Sequence, residues 1–179
     1  HPLNRTQNII PILLFLFGLA NLAFFSLNTD PIQLNYPESF GKPTYDFSKN
    51  PLTKQGVELG RKLFYDPILS KDSTTSCSIC HLSYTAFTHV DHALSHGIGD
   101  SIGNRNSPSL MNLAWGKSFM WDGAAHHLDA QALAPITDPR ELGETLVNVI
   151  KKLQRKSKKD KRLFILIVRH FIMECIWYS

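Results

Sequence analysis

Cys77, Cys80 and His81 fall within five consecutive residues of the stretch TTSCSICHLSY, residues 74–84, in a chain with only three cysteines. Cys-x-x-Cys-His is the spacing at which two thiols add to the vinyl groups of haem while the adjacent histidine binds iron. Covalent attachment lets a small, loop-rich domain hold a large cofactor. Two other chemistries compete for these residues. Zinc would draw Cys77 and Cys80 together with His89 and His92, but only eight residues separate Cys80 from His89, where zinc fingers use about a dozen or more. Thiol exchange wants the pair after a strand of a βαβ unit, and no such pattern precedes it. Covalent haem c is the reading the spacing favours.

The elements that must hold this motif read as helices joined by long loops. Thr53 is placed to cap a helix over 53–65, with Gly56, Leu59 and Leu63 on one face, Gly60 and Phe64 on the neighbouring one, and Asp66-Pro67 as its stop. The small glycines would let another body approach closely. Residues 70–76 form a polar turn that delivers the chain to the cysteines at a helix start. Residues 85–108 are loop-like, and a segment that long in a compact domain is usually functional or disordered. A short helix is expected over 109–115 and another over 126–135, stopped by Pro135. A third, over 138–154, would be capped by Asp138 and carry the apolar stripe Leu142, Leu146, Val149, Ile150 and Leu153. No strand pair is expected, so the fold class is mostly α with much loop.

Beyond this domain the two ends differ in composition. Arg5 precedes an uncharged apolar run over residues 9–27, the layout of an export signal or an uncleaved membrane anchor. Residues 1–28 are therefore expected to be signal or anchor, 29–50 an extended arm, and 51–154 the haem domain. Residues 155–179 form an atypical tail, a charge run followed by an apolar run, as a truncated or frameshifted product would have; a basic amphipathic tail that touches membranes is the other reading. The formal net charge is +4, yet nine of the nineteen Lys and Arg residues lie between Lys151 and Arg169. The body is slightly acidic, and no nucleic-acid partner is expected. Export to the periplasm agrees with haem c.

Several motifs together carry a resemblance. The stretches GRKLFYDPILSKDSTTSCSICH (60–81), RNSPSLMNLAW (105–115) and FMWDGAAHHLDAQALAPITDPREL (119–142) resemble the N-terminal domain of bacterial di-haem cytochrome c peroxidases and their MauG-like relatives. The similarity covers about residues 51–154, with the motifs in the family's order. It implies a cytochrome c-like haem domain in which Cys77 and Cys80 attach the haem and His81 is its proximal ligand. His96, in ALSHGIG, matches a loop histidine that takes the sixth position and leaves on activation, a departure that Gly97 and Gly99 would make cheap. Gln131 and Glu141 match the distal pair, where a carboxylate shuttles a proton between the oxygens of bound peroxide. Trp121 matches a tryptophan between two haems, and Asn106 a ligand of a calcium ion. The implied partners are hydrogen peroxide and a small electron donor, a cytochrome c or a cupredoxin. Ala124 departs from the arginine common after Trp-Asp-Gly. A second Cys-x-x-Cys-His, expected in a complete homologue, does not occur in these 179 residues.

Plainer roles compete with each assignment. Glu141 would merely favour a helix N-terminus, Trp121 would pack on haem, and Asn106 would cap a turn before Pro108. His89, His92, His126 and His127 read as solvent-facing or locally bonded. At the level of function, the alternatives to peroxidase are a mono-haem electron carrier with Met111 or Met120 as sixth ligand, and a non-functional fragment.

Overall fold

A computed structural model describes residues 30–159; the apolar run at 9–27 and most of the basic tail lie outside the described residues. The architecture is helical with long connections, and the only β pairings among the described residues are four isolated bridges. Helix α1 spans Lys54–Tyr65, α2 Cys77–Cys80, α3 Leu128–Gln131, α4 Leu133–Thr137 and α5 Leu146–Lys159. No helix among the described residues is long and apolar enough to cross a membrane.

Local chemistry accounts for the ends of α1. The Thr53 hydroxyl accepts from the Gly56 amide at 3.1 Å, and the Asp66 carboxylate accepts from the Ile68 amide as Pro67 starts a 3₁₀ turn over Pro67–Leu69. Leu59, Leu69, Ile136, Leu142, Val149 and Leu153 form the core, with Leu63 and Ile68 packed against it. It joins α1, the 3₁₀ turn, α4 and α5 at one end of the molecule. Residues 75–127 are built mostly from turns.

Three expected helices differ from those observed. Over 109–115 only Leu113–Trp115 closes, as a single 3₁₀ turn, because Asn112 takes a left-handed φ of 57°. The 126–135 helix is replaced by α3 and α4, and Pro135 lies inside α4 rather than ending α3. Its position in the first turn is tolerated because an amide there has no helical partner to lose. The long helix begins at Leu146, not at Asp138. Asp138 turns the chain back by accepting from the Arg140 amide, Gly143 adopts φ 60°, and Thr145 accepts from the Asn148 amide at 3.3 Å. Of the expected stripe, Leu142, Val149 and Leu153 are buried, whereas Leu146 is exposed.

The last helix is strapped to the turn that feeds the cysteines. Lys152 Nζ donates to the Ser70 carbonyl at 2.6 Å and pairs with Glu144 at 2.5 Å, and Lys156 pairs with Asp66. Ser70 is fully buried, its hydroxyl bonded to the Pro67 carbonyl and its Oγ accepting from the Thr75 amide. This makes residues 70–76 a fixed platform under α2.

Candidate functional site

A cavity of about 380 Å³ opens where α2 meets the loops, a size within the range of small-molecule and cofactor pockets. Its walls include Cys77, Cys80, His81, His96, Asn106, Trp121, Gln131 and Glu141. Residues separated by up to 64 positions along the chain are thus brought to one space. Met120 also lines it; Met111 does not and is half exposed.

Helix α2 holds the cysteines and hands His81 to the cavity. Both thiols are unpaired. Burial pushes them above the ordinary cysteine range, and the charge of nearby Glu141 adds to the shift. Among the described residues no group of three or more His, Cys, Asp or Glu is arranged to hold a metal ion, so His89 and His92 do not complete a zinc set with the cysteines.

The orientation of His81 is fixed by its backbone neighbour. Its Nδ1 lies 2.7 Å from the Phe87 carbonyl. A carbonyl only accepts, so Nδ1 carries the proton and Nε2 keeps its lone pair. Ala86 and Phe87 both adopt left-handed φ, 56° and 59°, which turns that carbonyl back onto the ring. Burial also pulls the His81 pKa down, against hydrogen bonds to the Phe87 and Pro108 backbone, and favours the neutral imidazole that a metal requires.

His96 has the same arrangement on a different loop. Its Nδ1 is 2.7 Å from Asp100 Oδ1, its carbonyl accepts from Cys80 Sγ at 3.3 Å, and its ring lies against that of His92 at 4.7 Å between centroids. The glycines beside it do not loosen the loop. A Cβ at Gly97 would stand 2.0 Å from the Arg140 carbonyl oxygen and 2.5 Å from that of Glu141, so this glycine permits close packing. Only Gly99, at φ 59°, serves a turn.

Glu141 lies outside any helix, in the turn between α4 and α5, so the plainer role at a helix N-terminus does not apply. Burial pushes its carboxyl above the usual range, and Asp138 adds to this while Arg140 opposes it. Gln131 donates to Met120 Sδ at 3.4 Å, a weak acceptor that a better one would displace. Trp121 sits at the rim, 63 % exposed, with its indole N–H on the Asn106 carbonyl at 2.6 Å. Asn106 is directed inward to backbone: its amide donates to the His89 carbonyl at 2.7 Å and its oxygen accepts from the Ser107 amide at 2.7 Å. His89 is buried and meets His92 at 3.4 Å, and His127 caps α3 through the Asp129 amide, both local bonds.

Sequence reasoning passed over Asp100 and the Phe87 carbonyl. The His-x-x-x-Asp spacing of residues 96–100 was a usable signal for the first. Nothing in residue types announces the second, which depends on two left-handed residues in succession.

The donor set suits covalent haem: two free thiols and two imidazoles, each with Nδ1 committed and Nε2 available, around one cavity.

Comparison with known proteins places this geometry in context. A sequence model of the family described as di-haem cytochrome c peroxidase matches residues 54–166. The chain is 38 % identical over 124 residues to the methylamine utilization protein MauG of Methylorubrum extorquens, covering 66 % of this chain and 32 % of that one. It is also 38 % identical over 96 residues to cytochrome c551 peroxidase of Pseudomonas aeruginosa, covering 53 % of this chain and 27 % of that one. Among solved structures, a MauG-like protein associated with microbial copper homeostasis is similar in fold, with a TM-score of 0.67, 30 % identity, and 79 % of this chain and 41 % of that one covered. The chain spans between about a quarter and a third of the length of these two curated relatives.

Proposed function

The chain belongs to the di-haem cytochrome c peroxidase family, and from that premise we propose that it is the peroxide-reducing haem half of such an enzyme, exported to the periplasm. Cys77 and Cys80 would attach one haem c through their thiols, and the imidazoles of His81 and His96 would hold its iron. Haem supplies, when bound, the redox chemistry needed to convert hydrogen peroxide, two protons and two electrons to two waters. A small donor such as a cytochrome c or a cupredoxin would supply the electrons, and Trp121, at the rim of the cavity, would relay them to the site. The same reading would place calcium at Asn106, whose side-chain oxygen here accepts from the Ser107 amide.

The protein's own residues handle the protons. Glu141, whose carboxyl is pushed up by burial and lines the cavity, would take a proton from one peroxide oxygen and return it to the other. Gln131 orients the peroxide through its amide, giving up the weak bond to Met120. The loop of His96 shields this face from water while closed.

The convergence of all eight residues on one cavity is the observation that carries the reading. Replacing Cys77 and Cys80 by alanine tests it. In a host that matures c-type cytochromes the chain should stain for haem on a denaturing gel and the double variant should not. Persistent staining would remove the central claim. The similarity to a methylamine utilization protein supports a second reading, a role of the same cavity in methylamine use. Deleting the gene in its host would then impair growth on methylamine and leave peroxide tolerance unchanged.

A further inference from the structure

We propose that Asp100 is a positioning residue for His96, holding its Nδ1 proton and so setting how tightly His96 Nε2 closes the distal position. The proposal rests on the reading of His96 as the sixth ligand. Asp100 touches neither haem nor peroxide in that reading; it acts through the imidazole.

The geometry of residues 96–101 points to this role. The His96 ring and the Asp100 carboxylate approach to 2.7 Å across four residues that form no α-helix. Two successive left-handed residues, Gly99 at φ 59° and Asp100 at φ 61°, fold the carboxylate back onto the ring. Aspartate tolerates that conformation better than most residues with a side chain. The fold-back is closed by the Gly97 amide on the Ser101 carbonyl at 2.8 Å and the Ser101 amide on the Ile98 carbonyl at 3.1 Å. Its outer edge is pinned by Ile98 N–H on the Glu141 carbonyl and by the Ser101 hydroxyl on the Arg140 carbonyl, both at 2.9 Å. The loop is thus a braced unit rather than a free tether.

A carboxylate behind an imidazole has two effects on the nitrogen facing the metal. It fixes the tautomer, leaving Nε2 with a lone pair, and it raises the basicity of that nitrogen. The second effect falls when the acceptor is neutral. Asp100 is 84 % exposed on its side chain, so water competes with the ring, and the effect lies at the low end of the range for such partners, about tenfold.

Asp100→Asn isolates the charge, because asparagine keeps both an acceptor oxygen and tolerance of positive φ. In the ferric, haem-loaded full chain, three changes are expected. The high-spin fraction should rise, cyanide should bind about tenfold faster, and the largest g value of the remaining low-spin signal should increase as the ligand loses anionic character. His96→Gly is measured alongside. If His96→Gly opens the haem while Asp100→Asn leaves spectrum, g values and cyanide rate unchanged, Asp100 has no such role and His96 keeps its own. If neither variant changes the spectrum, His96 is not the ligand, and the underlying assignment falls with the proposal.

Discussion

The Ile98 amide donates to the Glu141 carbonyl at 2.9 Å, joining the loop of His96 to the segment of Glu141. Gly97 completes the junction, since an added Cβ would meet the backbone of Arg140 and Glu141, which cannot rotate away. Gly97→Ala must therefore force the two segments apart. It is expected to cost about 1–3 kcal/mol in urea unfolding, and to slow the reaction with peroxide in the same variant. A stability change below about 0.5 kcal/mol, the usual level of a surface substitution, would show that the junction yields easily.

Gly60 offers the opposite case. It lies in the middle of α1 with nothing within 4 Å of a built Cβ. Gly60→Ala should stabilise the chain by about 0.5–1 kcal/mol through helix propensity alone. Loss of stability on thermal unfolding would reveal a body packed on that face.

Glu141→Gln should leave haem content unchanged and, with His96 displaced, slow peroxide O–O cleavage by roughly 10²–10⁴-fold in stopped flow. The same variant has a signature in stability. Burial raises the native pKa of Glu141, so the native state holds the proton more tightly than the unfolded chain. Its contribution is fully present below the unfolded value of about 4.3 and is lost as pH rises through the raised native value. Urea unfolding of the variant should lack that decline.

Glu144 has the opposite sign. It is 4 % exposed, and burial alone would raise its pKa, but the Lys152 ammonium, the Thr145 amide and the Asn148 side chain outweigh burial and hold it below the usual range. Its contribution is present above the unfolded value of about 4.3 and disappears as pH falls through the lowered native value. Lys152→Met leaves that carboxylate buried without its ion partner and should cost about 3 kcal/mol at neutral pH. Glu144→Leu combined with Lys152→Met is expected to recover part of the loss, as a double-mutant cycle would measure.

The parts of this fold that were legible in the sequence are those governed by neighbours along the chain. Thr53, Asp66 and Pro67 delimit α1 through bonds that span two or three residues, and Leu59, Val149 and Leu153 declare their burial by helical spacing. The illegible parts depend on left-handed residues other than glycine. Asn112 stops one expected helix, while Ala86 and Phe87 aim a carbonyl at His81. The misplaced start of α5 has a similar cause: Asp138 and Pro139 look like a helix opening, but the real cap is Thr145 and Gly143 redirects the chain between them. At the site, family motifs singled out residues that line one cavity, and the partners that orient their side chains emerged only in three dimensions.

The straps from α5 to the turn at Ser70 bear on the timing of assembly. The bond from Lys152 to Ser70 closes across 82 positions, and contacts of that separation are slow to form because the chain between them must first be ordered. Until they form, the peptide carrying Cys77 and Cys80 lacks its platform. The interval during which both thiols stand open to modification is therefore governed by a helix remote in sequence, and weakening Lys152 should lengthen that interval without touching the motif.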